Sequence, residues 1–141
     1  MRRQSHLLLM WFVLSALAAL VAPVAVAETA ARSVTVRLTD YRVLPSVTSI
    51  ATGRVTFVVH NTDNVPHNLV VLRTSIAPKS LPVTGPHGRA QEVGRMEGTP
   101  VFYAEQTRRL TLSLSPGRYL LICNVPGHYQ KGMVAAFLVP Q

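Results

Sequence analysis

One cysteine, a histidine five residues later and a methionine five after that constrain this chain more than anything else in it: Cys123, His128 and Met133 stand in the stretch Cys123-Asn124-Val125-Pro126-Gly127-His128-Tyr129-Gln130-Lys131-Gly132-Met133. For three such side chains to meet, the backbone must leave one strand near Cys123, turn, and enter another near Met133. Pro126-Gly127 supplies the turn, because Pro sets φ and Gly admits φ > 0. Gly132 allows a second bend before the last strand. A further histidine, His67 in Val65-Pro66-His67-Asn68, stands far upstream at the head of an apolar run.

A thiolate, two imidazoles and a thioether make the ligand set of a type 1 copper centre, with three strong bonds and one long axial bond. Soft sulfur selects copper, and imidazole suits both of its oxidation states. Zinc is disfavoured by the thioether, a poor zinc ligand. Cys123 is the only cysteine. A lone thiol in an exported chain has no internal disulfide partner, and metal ligation gives it a use in oxidising surroundings.

Export is read from the start of the chain. Arg2-Arg3 precedes an apolar run from Leu7 to about Ala22, followed by Ala25-Val26-Ala27 as a small-x-small cleavage site. The expected signal peptide is 1–27, with an uncleaved membrane anchor as the alternative. Residues 28–141 then form one domain with 12 Lys+Arg against 6 Asp+Glu, a balance of +6. The charges are scattered rather than clustered, which argues against nucleic acid and leaves acidic partners or anionic surfaces.

Periodicity makes this domain all-β. Val34, Val36 and Leu38 alternate with polar residues, as do Val55, Phe57 and Val59, and Leu110, Leu112 and Leu114. Residues 67–72 are nearly continuously apolar, as in a strand buried on both sides. Tyr119, Leu121 and Cys123 share one face of the next strand, and Met133, Ala135, Phe137 and Val139 share one face of the last. Short strands separated by turn signals predict a β-sandwich. Residues 74–106 are Pro- and Gly-rich without a period, and predict an irregular strand or a short helix.

These features resemble the cupredoxins, the plastocyanin and azurin group of small copper proteins. The resemblance rests on Pro66-His67-Asn68 before an apolar strand, on Cys123, His128 and Met133, and on the all-β pattern over roughly 33–141. It implies a Greek-key β-sandwich with one copper at one end, held by His67, Cys123, His128 and Met133. It implies that the Asn68 backbone amide donates to the Cys123 sulfur and that the Asn68 side chain ties the two ligand segments, with Asn124 as the other end. It implies one-electron transfer by a monomer, through transient docking with redox donor and acceptor proteins near His128. Val65, Pro66, Val125, Pro126 and Gly127 would form the apolar patch around that port. Neither catalysis nor a small-molecule substrate is expected: Ile122 and Asn124, rather than histidines, flank the cysteine. The alternative is a periplasmic copper carrier or storage protein with the same ligands. Met96 is the poorer axial candidate. Glu105 is a carboxylate alternative, and His60 and His87 read as surface residues.

Overall fold

The computed structural model describes residues 32–141, so the expected signal peptide lies outside the described residues. Eight strands run in chain order: β1 (Arg32–Thr39), β2 (Arg42–Pro45), β3 (Gly53–Asn61), β4 (Val70–Arg73), β5 (Arg95–Gly98), β6 (Thr107–Leu114), β7 (Gly117–Ile122) and β8 (Val134–Val139). They form two four-stranded sheets, ordered β2-β1-β3-β6 and β5-β4-β7-β8. All neighbouring pairs are antiparallel except β1 with β3. The chain crosses between the sheets after β3, after β5 and at Ser115–Gly117, giving the expected Greek-key sandwich.

Alternation decides which faces meet. Val34, Val36 and Leu38 of β1 and Val55, Phe57 and Val59 of β3 are wholly buried and form one core with Leu69, Val71, Tyr119, Leu121, Phe137 and Val139 of the facing sheet. Phe57 and Phe137 meet edge to face across the interior, with centroids 5.6 Å apart. Their polar neighbours Thr35, Arg37, Arg109 and Thr111 face solvent on the open side of the first sheet.

The second sheet has no open face at its centre. Val70, Leu72, Leu120 and Ile122 pack in a second cluster with Leu81, Ala90 and Tyr129. Segment 74–94 lies over them, which is why β4 and β7 read as continuous apolar runs rather than alternating ones. Of the two expectations for 74–106 the irregular one holds: it contains the edge strand β5 and an isolated bridge between Val83 and Ala90, and no helix occurs among the described residues. Prolines at 78, 82, 86 and 100 deny it both a helix and a long strand.

Register then gathers the candidate ligands. Val70 at the start of β4 pairs with Ile122 at the end of β7, and Ile122 pairs with Val134 at the start of β8. The residues just beyond those positions, 67–68, 123–124 and 133, therefore emerge at one end of the sandwich. Phe57→Ala removes a wholly buried ring between the sheets and is expected to lower unfolding free energy by about 3–5 kcal/mol, read from denaturant midpoints.

Candidate metal centre

His67 is not yet in β4. Its N–H and C=O exchange hydrogen bonds with Phe102 at 3.0 and 2.8 Å, an isolated bridge that pins the residue before the strand begins. On the other segment, the Cys123 N–H donates to the Met133 carbonyl at 3.1 Å and the Met133 N–H to the His128 carbonyl at 3.2 Å. Gly127 at φ +80° makes the intervening turn, and Gly132 at φ +112° makes the second bend. These bonds close the loop and fix where its side chains start.

Three donors converge. His67 Nδ1 and His128 Nδ1 are 3.1 Å apart, and Cys123 Sγ lies 3.6 Å from the first and 3.5 Å from the second. They are the one buried group of this kind among the described residues. Met133 is wholly buried in the same core cluster as Cys123. Glu105 is exposed and outside the group, and Met96 sits on β5, half-buried against the core. His87 is exposed, while His60 is half-buried and bonded to Thr107 Oγ1 at 2.8 Å.

The electrostatics suit a cation. Asp63 Oδ2 lies 3.3 Å from His67 Nε2. A carboxylate only accepts, so Nε2 carries the proton and Nδ1 presents its lone pair to the group. Slight burial opposes ionisation of Asp63, but hydrogen bonds from His67 and Asn64 outweigh it and hold its pKa below the ordinary 3.8. Burial, helped by the neighbouring His67 and Lys131, pushes His128 down to about 4, so its ring is neutral as ligation requires. Burial also raises the Cys123 thiol, against the hydrogen bonds from the Asn68 and Val125 backbones. A buried thiolate in this place needs a positive ion beside it.

The tie between the segments is present. Asn68 N–H points to Cys123 Sγ at 3.5 Å, and Asn68 Oδ1 accepts the Asn124 N–H at 2.8 Å. The Asn124 side chain does something else. It accepts from Ala90 N at 2.8 Å and donates to Ala90 O at 3.0 Å and Glu92 Oε1 at 2.8 Å, clamping segment 74–94 to the loop. Burial opposes ionisation of Glu92, yet its bonds with Asn124 and Arg95 keep its pKa below the ordinary 4.5. Gly127 N–H to Gly88 O at 3.0 Å and Leu81 N–H to Tyr129 Oη at 2.9 Å complete the clamp.

Sequence reasoning missed Asp63, which read only as part of a turn although it stands four residues before His67. It also missed Tyr41, whose ring meets that of His128 edge-on with centroids 5.2 Å apart. Partly under this cover, His128 is only 8% exposed, so the expected bare port is mostly shielded. Around it Pro126 is exposed, Val65, Pro66 and Val125 are half-buried, and Gly127 is buried.

A two-sheet sandwich with a buried Cys–His–His group at one end, backed by a methionine, is the arrangement of a blue copper cupredoxin, and the donor set fits one type 1 copper ion. Residues 45–141 match the family model described as "Sulfocyanin (SoxE) domain", and the chain belongs to that family. No curated protein matches the chain by sequence. Among solved structures it is similar to auracyanin B, with 25% identity, 81% of this chain and 92% of that chain covered, and a TM-score of 0.59. It is similar also to dithionite-reduced auracyanin from Roseiflexus castenholzii (18% identity, 79% and 98% covered, TM-score 0.60). Rusticyanin from Thiobacillus ferrooxidans shares 18% identity over 77% of each chain, with a TM-score of 0.54.

Two expectations follow from these contacts. Asp63→Asn removes a negative charge from the far side of His67 and is expected to raise the reduction potential of the copper-loaded protein by on the order of tens of millivolts, read by voltammetry. Asn124→Ala strands buried groups on Ala90 and Glu92 and is expected to cost about 2–3 kcal/mol of stability in denaturant unfolding.

Proposed function

We propose that the chain is an exported blue copper protein that carries single electrons between redox proteins, with His67, Cys123, His128 and Met133 holding the ion. The observation that carries this reading is the convergence of two buried imidazole nitrogens and one buried sulfur within 3.1–3.6 Å of one another. Copper, when bound, supplies the one-electron Cu(II)/Cu(I) couple.

The chain's own residues supply rigidity and dryness. Asp63 and Phe102 hold His67 by its ring and its backbone. Asn68 ties both ligand segments and directs an N–H at the sulfur, a contact that tunes ligand strength. The clamp through Asn124 resists opening of the ligand loop. Wholly buried Met133 and Leu69 help keep water from the group. Ligands held this firmly move little when charge changes, which favours rapid electron exchange over release of the metal. That is the reason to prefer an electron carrier to a storage protein.

Export rests on the leader-like residues 1–27, so 28–141 is the proposed mature domain, working in the periplasm or outside the cell. Docking is proposed at the ligand-loop end, where Val65, Pro66, Val125 and Pro126 keep some surface exposed. Redox encounters of this kind use small, transient interfaces.

The test is the visible and EPR spectrum of 28–141 after Cu(II) addition. An intense blue thiolate band with narrow copper hyperfine splitting is expected, absent in Cys123→Ser and retained with an altered potential in Met133→Leu. A colourless complex, or bound Cu(I) that never reoxidises, overturns electron transfer in favour of the carrier or storage reading. A red species insensitive to Met133→Leu overturns the ligand assignment.

A further inference from the structure

A pocket of about 530 Å³ opens beside the ligand loop, lined by Asp40, Tyr41, Arg42, Val43, Leu44, Lys79, Lys131, Gly132 and Val134. Its charged residues are three cations and one carboxylate. The carboxylate, Asp40, is already paired with Arg42 at 3.6 Å. Lys79, Lys131 and Arg42 are all exposed, so the pocket presents surplus positive charge to solvent.

One side chain reaches from this pocket to the His128 ring. Tyr41 lines the pocket and also meets the His128 ring edge-on at 5.2 Å. Lys131 Nζ stands over the same tyrosine ring, 4.1 Å from its centroid. Asp40 and Tyr41 form the two-residue turn between β1 and β2, and both have positive φ, 45° and 55°. Such a turn ordinarily takes Asn-Gly, and a tyrosine in that conformation is disfavoured. Strain of this kind persists where the surroundings enforce it, and it clusters at functional positions.

Resting on the electron-carrier reading above, we propose that this pocket is a second docking surface, beside the apolar patch, for an acidic redox protein. Carboxylates of the partner pair with Lys79, Arg42 and Lys131, and its electron enters or leaves across Tyr41 and His128. The argument for an acidic partner is charge complementarity, since the pocket adds a local excess of cations to a domain already at +6 over residues 28–141. One aromatic ring then separates the docked surface from a ligand. No atoms are exchanged: one electron passes from the reduced partner to the oxidised protein, or back.

The test uses copper-loaded 28–141 and two inorganic reductants, anionic hexacyanoferrate(II) and cationic hexaammineruthenium(II), timed by stopped flow. Lys79→Glu/Lys131→Glu reverses the sign of the pocket. Arg54→Glu, at an exposed residue near the start of β3, reverses one charge outside the pocket. At low ionic strength the double variant is expected to slow the anionic reagent at least tenfold and to accelerate the cationic one, with both effects fading at high salt. Arg54→Glu is expected to change either rate less than twofold. A polyglutamate peptide is expected to inhibit hexacyanoferrate reduction of the unmodified protein, with amide NMR shifts confined to residues around Tyr41, Lys79 and Lys131. Phosphate at matched ionic strength is expected not to inhibit.

Equal effects of the double variant and Arg54→Glu overturn the docking surface and leave the electron-carrier reading standing. Equal inhibition by phosphate overturns it in favour of a small-anion site. Failure of both reagents to reduce the unmodified blue protein overturns the carrier reading and the docking surface together.

Discussion

Everything at the functional end of this protein depends on the antiparallel pairing of β4 with β7. Opposition of Val70 and Ile122 places Asn68 beside Asn124, residues 56 apart in the chain. One backbone hydrogen bond from Asn124 to the Asn68 side chain then locks the two segments that carry His67 and Cys123. A slip of that pairing by one residue would turn Cys123 out of the core and separate the donors. Both faces of the pair are packed, Val71 and Leu121 into the main core and Val70, Leu72, Leu120 and Ile122 into the second cluster.

The irregular segment 74–94 is as much a part of this arrangement as the strands. It seals the outer face of the second sheet and, through Ala90, Glu92 and Gly88, grips the ligand loop from outside. The loop is thus held by β7 and β8 at its ends and by the segment along its length. Such a site begins with its ligands already in place, so little reorganisation accompanies a change of charge. Its stability and its redox chemistry draw on the same hydrogen bonds.

Electrostatics divide the site into two sides. On one, the Asp63 carboxylate sits behind His67, fixes its tautomer and adds negative charge where a cation belongs. On the other, Lys131 and Tyr41 cover His128 and face a cationic pocket. The two imidazoles are therefore unequal, one backed by an anion within the fold and the other turned toward the basic surface.

Much of this was legible in the residues alone. Alternation in β1, β3 and β6 declared an all-β sandwich, because a period of two has only one structural meaning when one face is buried. Cys123, His128 and Met133 stand in a single loop, so their spacing carried the site, and Pro66-His67-Asn68 supplied its distant member. Segment 74–106 was not legible, since its order comes from side-chain and backbone bonds to other elements rather than from any local period. The same holds for Tyr41 and for the clamp made by Asn124. Sequence by itself determined the strands and the donor set, because these are written in local pattern and chemical type. Tertiary structure alone decided that Asp63 backs His67, that Tyr41 shields His128 and that Lys79 joins Lys131 at one pocket, because such neighbours are brought together only by packing between segments distant in the chain or by the path of an irregular turn.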